Sequence, residues 1–391
     1  MNMDTPIPYG RQSIDEEDIR AVTEVLRSNY LTQGPRIPAF EEEFAGYIGC
    51  EHAVAVANGT AALHLGVLAL GLQPGQKVIT TPLTFAASAN CVRYAGGLVD
   101  FVDIDPHTWL MDLDALERKL EKAPEGTYAG VIPVDFTGLA VDTEGLRELA
   151  DRHGLWILED ACHAPGGSFL NSQGETVRCG DGRYADAAIF SFHPVKHIAA
   201  GEGGMVTTND PGVKERLELL RTHGITKDPE RLRENHGGWY YEMQELGYNF
   251  RLTDMQCALG RSQLRRADER LERRRRIAAR YDEAFAGHPS ITRQAVDPET
   301  RDRHHAWHLY VIGVPERKKL YDRLHEQQIL CQVHYIPVHL QPYYRDRGWE
   351  KGDFPRTEAY YERCLSLPMY PTLSDEQQEY VIRNVLKALD S

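Results

Sequence analysis

Between residue 50 and about residue 210 the chain alternates short apolar runs with amphipathic stretches, and that alternation leaves few folds open. The runs fall at 52–57, 77–81, 98–104, 130–135, 155–160, 187–192 and 205–208. Between them lie 61–70, at helical composition, and a helix that opens at Asp142 or Thr143. Short, nearly continuous apolar runs are strands buried on both faces. Strands that alternate with helices build a mostly parallel sheet covered on both sides. The expected class is α/β, and in such sheets ligands gather at the carboxyl ends of the strands.

After Thr253 the pattern changes. One long helical segment runs to about Phe285, followed by a strand-like run at 308–314, a helix at 317–327 and a second strand at 330–336. Ser374-x-x-Gln377 has capping-box spacing and announces a last helix. Ser13-x-x-Glu16 has the same spacing and opens a helix from Ile14 to about Leu26. The expected division is a large α/β domain over 36–252, a connecting helix over 253–286 and a small α+β domain over 287–391. Residues 1–35 are expected to pack with the small domain. The polar stretch 225–247 carries Trp239, Tyr240 and Tyr241 and reads as a long loop, of the kind that is functional or mobile.

Charge excludes some functions. A net charge of −14, from 44 basic and 58 acidic residues, disfavours bulk attraction to nucleic acid or an anionic membrane. The one basic stretch, 261–280, is interleaved with Asp268, Glu269 and Glu272, and Leu264, Leu271 and Ile277 recur near helical spacing. It reads as the solvated face of a long helix. The seven cysteines are dispersed without Cys-x-x-Cys spacing, as expected of free thiols in a reducing compartment. No apolar run approaches bilayer length and residues 1–11 have no apolar core for a signal peptide, so a cytoplasmic protein is expected.

Four features fall at strand ends. Asn58-Gly59-Thr60 joins a strand to a helix, where backbone N–H groups and the Thr60 hydroxyl suit a phosphate; a plain turn with Thr60 as helix cap is the other reading. Asp160 ends a strand, where a carboxylate can keep a ring nitrogen protonated or cap a helix. Lys196, in Ser191-Phe-His-Pro-Val-Lys196, lies between a buried strand and the glycine run Gly201-Glu-Gly-Gly204. Partial desolvation there would lower its pKa and free the amine as a nucleophile toward a carbonyl, while the glycines would let backbone approach a bulky ligand. The Cys162-His163 pair lacks a companion at metal spacing, and His304, His305 and His308 read as a lead into a strand, so no metal is expected. Together, a phosphate cup, an acid for a ring nitrogen and an amine for an aldehyde form the set that pyridoxal 5′-phosphate (PLP) requires.

At this point the chain resembles the sugar-nucleotide aminotransferases of the DegT/DnrJ/EryC/StrS group, over nearly its whole length. The marks are Leu31-Thr-Gln-Gly34, Asn58-Gly-Thr-Ala-Ala-Leu63, Thr81-Pro-Leu-Thr-Phe-Ala86, Glu159-Asp-Ala161, Ser191-Phe-His-Pro-Val-Lys196, Gly201-Glu-Gly-Gly204, Arg221-Thr-His-Gly224 and Tyr248-Asn-Phe-Arg251. Phe85-Ala-Ala-Ser-Ala-Asn90, the segment from Trp239 to Asn249 and Cys331-Gln-Val-His-Tyr-Ile-Pro337 are most similar to the pseudaminic-acid branch.

The resemblance implies a fold-type I PLP-dependent transferase acting as a homodimer with shared active sites. It implies that Gly59, Thr60, Ser191 and the partner subunit's Asn249 hold the cofactor phosphate, and that Phe85 stacks on the pyridine ring. Asp160 would pair with the ring nitrogen, and Lys196 would be the Schiff-base lysine and proton shuttle. His163 stands where many relatives have glutamine near the 3-hydroxyl, which leaves its protonation state open. Tyr9, Asn29, Tyr30, Leu31, Thr32, Arg251, Gln332, Val333, His334 and Tyr335 would line the substrate site. On a strand, Gln332 and His334 would share one face and Val333 and Tyr335 the other. The reaction implied moves the amino group of L-glutamate to C4 of a UDP-4-keto-6-deoxy-N-acetylhexosamine. A dTDP or 3-keto sugar nucleotide is the nearest alternative, and a non-catalytic binding protein of the same fold is the alternative from another class. PLP-dependent sugar dehydration requires histidine in place of the lysine, and Lys196 argues against it.

Overall fold

The computed structural model describes residues 5–390. A seven-stranded sheet forms the centre. Its strands are β1 (His52–Val56), β2 (Lys77–Thr80), β3 (Leu98–Phe101), β4 (Tyr128–Ile132), β5 (Trp156–Asp160), β6 (Ala187–Ser191) and β7 (Gly204–Thr208). They lie in the order β1-β7-β6-β5-β4-β2-β3. All neighbours are parallel except β7, which runs antiparallel to both β1 and β6. The mostly parallel α/β sheet read from the sequence is therefore present.

Both faces of this sheet are covered, which explains the continuous apolar runs. On β1, Ala53 and Ala55 face one side and Val54 and Val56 the other. The first side packs on Phe40 and Phe44 of α2 (Arg36–Ile48) and on Leu264 of α8 (Asp254–Leu264). The second packs on Leu63 and Val67 of α3 (Gly59–Ala69), Val92 of α4 (Ala87–Tyr94) and Leu217 of α7 (Pro211–Leu220). Between α4 and α7 run α5 (Leu113–Lys122) and α6 (Thr143–His153), capped by Asp112 and Asp142. Each such cap is worth about 1 kcal/mol.

A second, antiparallel sheet of Thr292–Arg293, Tyr310–Gly313 and Cys364–Leu367 lies in the C-terminal part. Its core joins Tyr310, Ile312 and Leu365 to Ile277 and Tyr281 of α9 (Ala267–Ala284) and to Val381 of the last helix, Asp375–Leu389. That helix has the expected capping box: Gln377 N–H donates to Ser374 Oγ, and Ser374 N–H to Gln377 Oε1, both at 3.1 Å.

Four sequence expectations are corrected. At the N-terminus, Asp15, not Ser13, caps α1 (Glu16–Leu26), in a capping box with Asp18. Ile7–Pro8 pairs with Ile329–Leu330, but α1 packs against α8. The segment read as one long helix is two, broken at Arg265 and Arg266. Nor is the strand at 330–336 formed. Only Ile329–Leu330 is a strand, and beyond it a single bridge joins Gln332 to Ser366. Without a pleat the expected pairing of faces is lost: Gln332 is exposed while His334 is buried.

The basic stretch is not a purely solvated face either. Leu271 of α9 belongs to the core beneath the large sheet, and Ile277 and Tyr281 belong to the C-terminal core. The helix is enclosed between the two, and Arg270 and Arg274 are buried. Arg274, 1% exposed, donates to the carbonyls of Trp307, His308 and Met369 at 3.1, 3.2 and 3.0 Å. Burial pushes its pKa down to about 9, still above neutrality. One side chain thus satisfies three backbone acceptors from two distant segments. Arg274→Met keeps the aliphatic bulk but orphans those carbonyls, and is expected to destabilise the fold by about 3 kcal/mol in denaturant unfolding. A loss below about 1 kcal/mol would remove Arg274 from this role.

Candidate active site

The site grows from the one antiparallel strand. Because β7 runs backwards, its first residue lies at the edge where its neighbours end. Gly204 is in register with Val56 at the end of β1 and with Ser191 at the end of β6. A β-carbon at Gly204 would sit 2.5 Å from the Asn58 carbonyl oxygen, so only glycine lets the Asn58–Gly59 turn close over it. At Gly203 the same position would be 3.1 Å from Phe192. Gly203 and Gly204 serve the close approach of the chain to itself.

That turn brings Gly59 against Ser191, since a β-carbon there would lie 3.0 Å from the Ser191 β-carbon. Asn58, not Thr60, caps α3, its Oδ1 accepting from the Ala61 N–H at 2.8 Å. Gly59 and Thr60 are then the first two helical residues, whose N–H groups have no acceptor within an α-helix. These donors, the helix dipole and the nearby Ser191 hydroxyl are suited to hold an anion.

On the strand next to β6, Asp160 ends β5, 6% exposed. Its Oδ2 accepts from Ser88 Oγ at 2.7 Å and its Oδ1 from the Cys162 N–H at 3.2 Å. Lys196, half-buried beyond β6, lies within electrostatic reach of it. Burial lowers the Lys196 pKa, Cys162 and Asp160 pull it back up, and Arg274 pushes it down. This is the desolvated amine read from the sequence.

Histidines enclose the amine. The rings of His163 and His308 lie 4.3 Å apart, and those of His197 and His308 5.6 Å apart. Burial, and next the Lys196 charge, hold His163 and His308 well below their ordinary range. Burial, and next Arg274, do the same for His197. For His163 these influences favour the neutral ring. Its Nε2 meets the Tyr335 hydroxyl at 3.2 Å, while its buried Nδ1 has no partner. The Tyr335 ring lies 6.1 Å from Phe85 and 4.9 Å from His334, and His334 lies 5.1 Å from Tyr9.

The structure thus brings together Gly59, Thr60 and Ser191, and joins Asp160, His163, Lys196, Phe85, Tyr9, His334 and Tyr335 in a second group. Phe85 is 61% exposed, an apolar ring face open to a planar ligand. The other expected residues lie apart. Val333 packs with the apolar cores and Gln332 is exposed. Asn29, Tyr30, Leu31 and Thr32 are all exposed, in a loop pinned by Asp254, whose N–H donates to the Leu31 carbonyl and whose carboxylate accepts from the Gly34 and Arg36 N–H groups. Asn249 is exposed and Arg251 half-buried. Sequence reasoning missed Ser88 and Thr84, which stand behind Asp160, and His308, read only as a lead into a strand.

These residues fit PLP. The first helical turn of α3 suits its phosphate, Asp160 its ring nitrogen, Lys196 its aldehyde and Phe85 its ring face, and the unpartnered Nδ1 of neutral His163 leaves a polar atom to be satisfied. Asp135, Glu159 and Cys179, all buried, are the one group of three metal-capable side chains among the described residues. Burial pushes Asp135 up to about 6, and burial with the Asp135 charge pushes Glu159 well above the carboxylate range.

Comparison with known proteins agrees. Residues 12–386 match the DegT/DnrJ/EryC1/StrS aminotransferase family. The chain is 40% identical over 395 residues to the spore coat polysaccharide biosynthesis protein SpsC of Bacillus subtilis (strain 168), covering 98% of each. It is 37% identical over 391 residues to the UDP-4-amino-4,6-dideoxy-N-acetyl-beta-L-altrosamine transaminase of Campylobacter jejuni, again covering 98% of each. Its fold is similar to that of Helicobacter pylori PseC, an aminotransferase involved in pseudoaminic acid biosynthesis, with a TM-score of 0.87 at 31% identity, covering 99% of this chain and 100% of that one. Solved relatives include PLP and PMP forms. The chain belongs to this family and is a PLP-dependent sugar aminotransferase.

The neutral histidines carry a measurable signature. Burial pushes His334 down to about 3 from its ordinary 6.5. Between those values the unfolded chain binds a proton that the folded chain does not, so this stability is full above pH 6.5 and is lost as pH falls toward 3. His334→Asn is expected to flatten the stability curve between pH 6 and 4 by about 1.4 kcal/mol per pH unit relative to the parent. Denaturant unfolding at pH 4, 5 and 6 checks this, and parallel curves would refute it.

Proposed function

We propose that this sugar aminotransferase moves the amino group of L-glutamate to C4 of a UDP-4-keto-6-deoxy-N-acetylhexosamine, in pseudaminic acid or related surface-glycan synthesis, and that two chains share each site. The observation that carries the substrate is the full-length likeness to the Campylobacter jejuni transaminase, together with the branch marks in 85–90, 239–249 and 331–337.

Bound PLP supplies an electron sink for amino-group transfer in both directions. The chain does the rest. The Gly59 and Thr60 N–H groups and the Ser191 hydroxyl bind the phosphate, and Asp160 holds the proton on the ring nitrogen. Phe85 orients the ring by stacking. Lys196 gives and takes the proton at its Nζ, a task suited to an amine whose pKa burial lowers. Neutral His163 and Tyr335 hold the polar edge of the cofactor, and Tyr9, His334 and Tyr335 exclude water from the reacting carbon.

Sharing of sites is supported by what is left open. In the 225–247 loop Trp239, Met243 and Leu246 are 75%, 62% and 79% exposed, an apolar surface that a second copy would cover. Asn249 follows that loop and is exposed, placed to reach a neighbouring chain's phosphate site. The exposed segment Asn29 to Thr32 and Arg251 would then contribute to the substrate site of the assembled dimer.

Two experiments test this reading. Purified protein incubated with PLP, L-glutamate and a panel of 4-keto and 3-keto sugar nucleotides should, by mass spectrometry, aminate the UDP-linked 4-keto-6-deoxy-N-acetylhexosamine fastest, with none aminated by Lys196→Ala. Preference for a dTDP sugar without the acetamido group would sink the substrate assignment and leave the chemistry standing. Second, inactive Lys196→Ala and Asn249→Ala chains, mixed with subunit exchange verified, should recover partial activity, because one site per mixed dimer is then intact. No recovery would argue for sites built within one chain.

A further inference from the structure

Ser88 sits in the first turn of α4, with its N–H on the Phe85 carbonyl at 3.2 Å, so one short segment carries both the ring-stacking Phe85 and Ser88. Ser88 is 0% exposed, Thr84 1% and Asp160 6%. Ser88 Oγ lies 2.7 Å from Asp160 Oδ2, and Thr84 Oγ1 lies 2.8 Å from Ser88 Oγ. A carboxylate only accepts, so the single Ser88 proton points at Asp160, and Thr84 must donate to Ser88. The three side chains form a directed chain, Thr84 to Ser88 to Asp160.

We propose that Ser88, backed by Thr84, is the positioning residue that holds the Asp160 carboxylate in its orientation and in its charged form for the cofactor ring nitrogen. This rests on the reading that Asp160 faces that nitrogen. Three facts argue for it. First, the contact has the length of a charge-assisted O–H···O⁻ bond, the kind that stabilises the charged form. Second, in a buried site that form lacks water, and among the described residues its other donors both belong to Cys162: the longer N–H contact at 3.2 Å and the weakly donating thiol. Third, a donor polarised by another donor bonds more strongly, which gives the buried Thr84 hydroxyl a purpose beyond local structure. A carboxylate offers about four lone-pair sites, so acceptor capacity is left for the nitrogen.

The test uses the holoenzyme and PLP itself. Ser88→Ala should weaken PLP binding about tenfold by absorbance titration, the scale of one charge-assisted bond. It should also move the pH midpoint of the PLP-loaded protein's visible band upward, because a less firmly protonated ring nitrogen withdraws less charge from the lysine-bound carbon. Thr84→Val, isosteric at a position one bond further back, should change both in the same direction by about twofold to threefold. It carries the test if Ser88→Ala fails to fold. Ser88→Cys, a weaker donor, should fall between Ser88→Ala and the parent. If Ser88 acts through Asp160, adding Ser88→Ala to Asp160→Asn should cost little beyond Asp160→Asn alone. Parental affinity and spectrum in Asp160→Asn would overturn the nitrogen reading and this proposal with it. An unchanged Ser88→Ala, or effects that add in full, beside a crippled Asp160→Asn would overturn this proposal alone.

Discussion

The site depends on the removal of one amine from water. In solution the Lys196 ammonium is hydrated and inert as a nucleophile. Here burial opposes its charge, and Arg274 opposes it further, while Asp160 and the Cys162 thiol favour it. The balance is a lowered pKa, not a free fall, and the composition of the surrounding wall sets it. Had that wall been charged, it would have repelled the ammonium outright; had it been wet, it would have restored the charge. Instead it is made of imidazoles that burial keeps neutral, namely His163, His197, His308 and His334. The same desolvation thus acts twice, once on the amine and once on the groups that replace its water.

The backbone makes that wall possible. A parallel sheet opens ligand space at the ends of its strands, but two parallel neighbours splay where their connections leave. The reversed strand β7 lies between β1 and β6 and begins where they end. Its Gly204 admits the Asn58 turn, and that turn sets Gly59 against Ser191. The Gly59 turn and the amine then follow β1 and β6, the two strands that flank β7. Arg274 closes the arrangement from behind, tying α9 to the carbonyls of Trp307 and His308, next to the ring that packs on His163.

Much of this could be read in the chain because strand ends are marked by local chemistry. Asn58-Gly59-Thr60, Asp160 and the Ser191 to Lys196 run each follow an apolar stretch, and the sheet places all three on one edge. What failed to show depends on partners distant in sequence. Residues 330–336 look like a strand by composition, yet beyond Leu330 the chain keeps only the bridge from Gln332 to Ser366 and leaves the pleat so that His334 and Tyr335 can turn toward the site. Arg274 looks like one more solvated arginine, because nothing nearby in sequence reveals that both sides of α9 are enclosed. Ser88 was closer to legible. It lies three residues after Phe85, in the turn that opens α4, but its role required knowing that β5 ends beside that turn.

Glu159 and Asp160 show how finely position decides chemistry. They are adjacent on β5, so their side chains leave opposite faces of the sheet. Asp160 meets a hydroxyl and an N–H, both donors aimed at a carboxylate. Glu159 meets the Gly180 N–H at 3.1 Å but also the buried Asp135 and Cys179, and burial and the Asp135 charge drive its pKa far up. Asp135 is in turn raised to about 6, burial being the main cause. A pair that keeps a proton adds less negative charge behind Asp160 than two free carboxylates would. Two neighbouring carboxyls on one strand thus meet opposite surroundings: donors on one face, burial and a second carboxyl on the other.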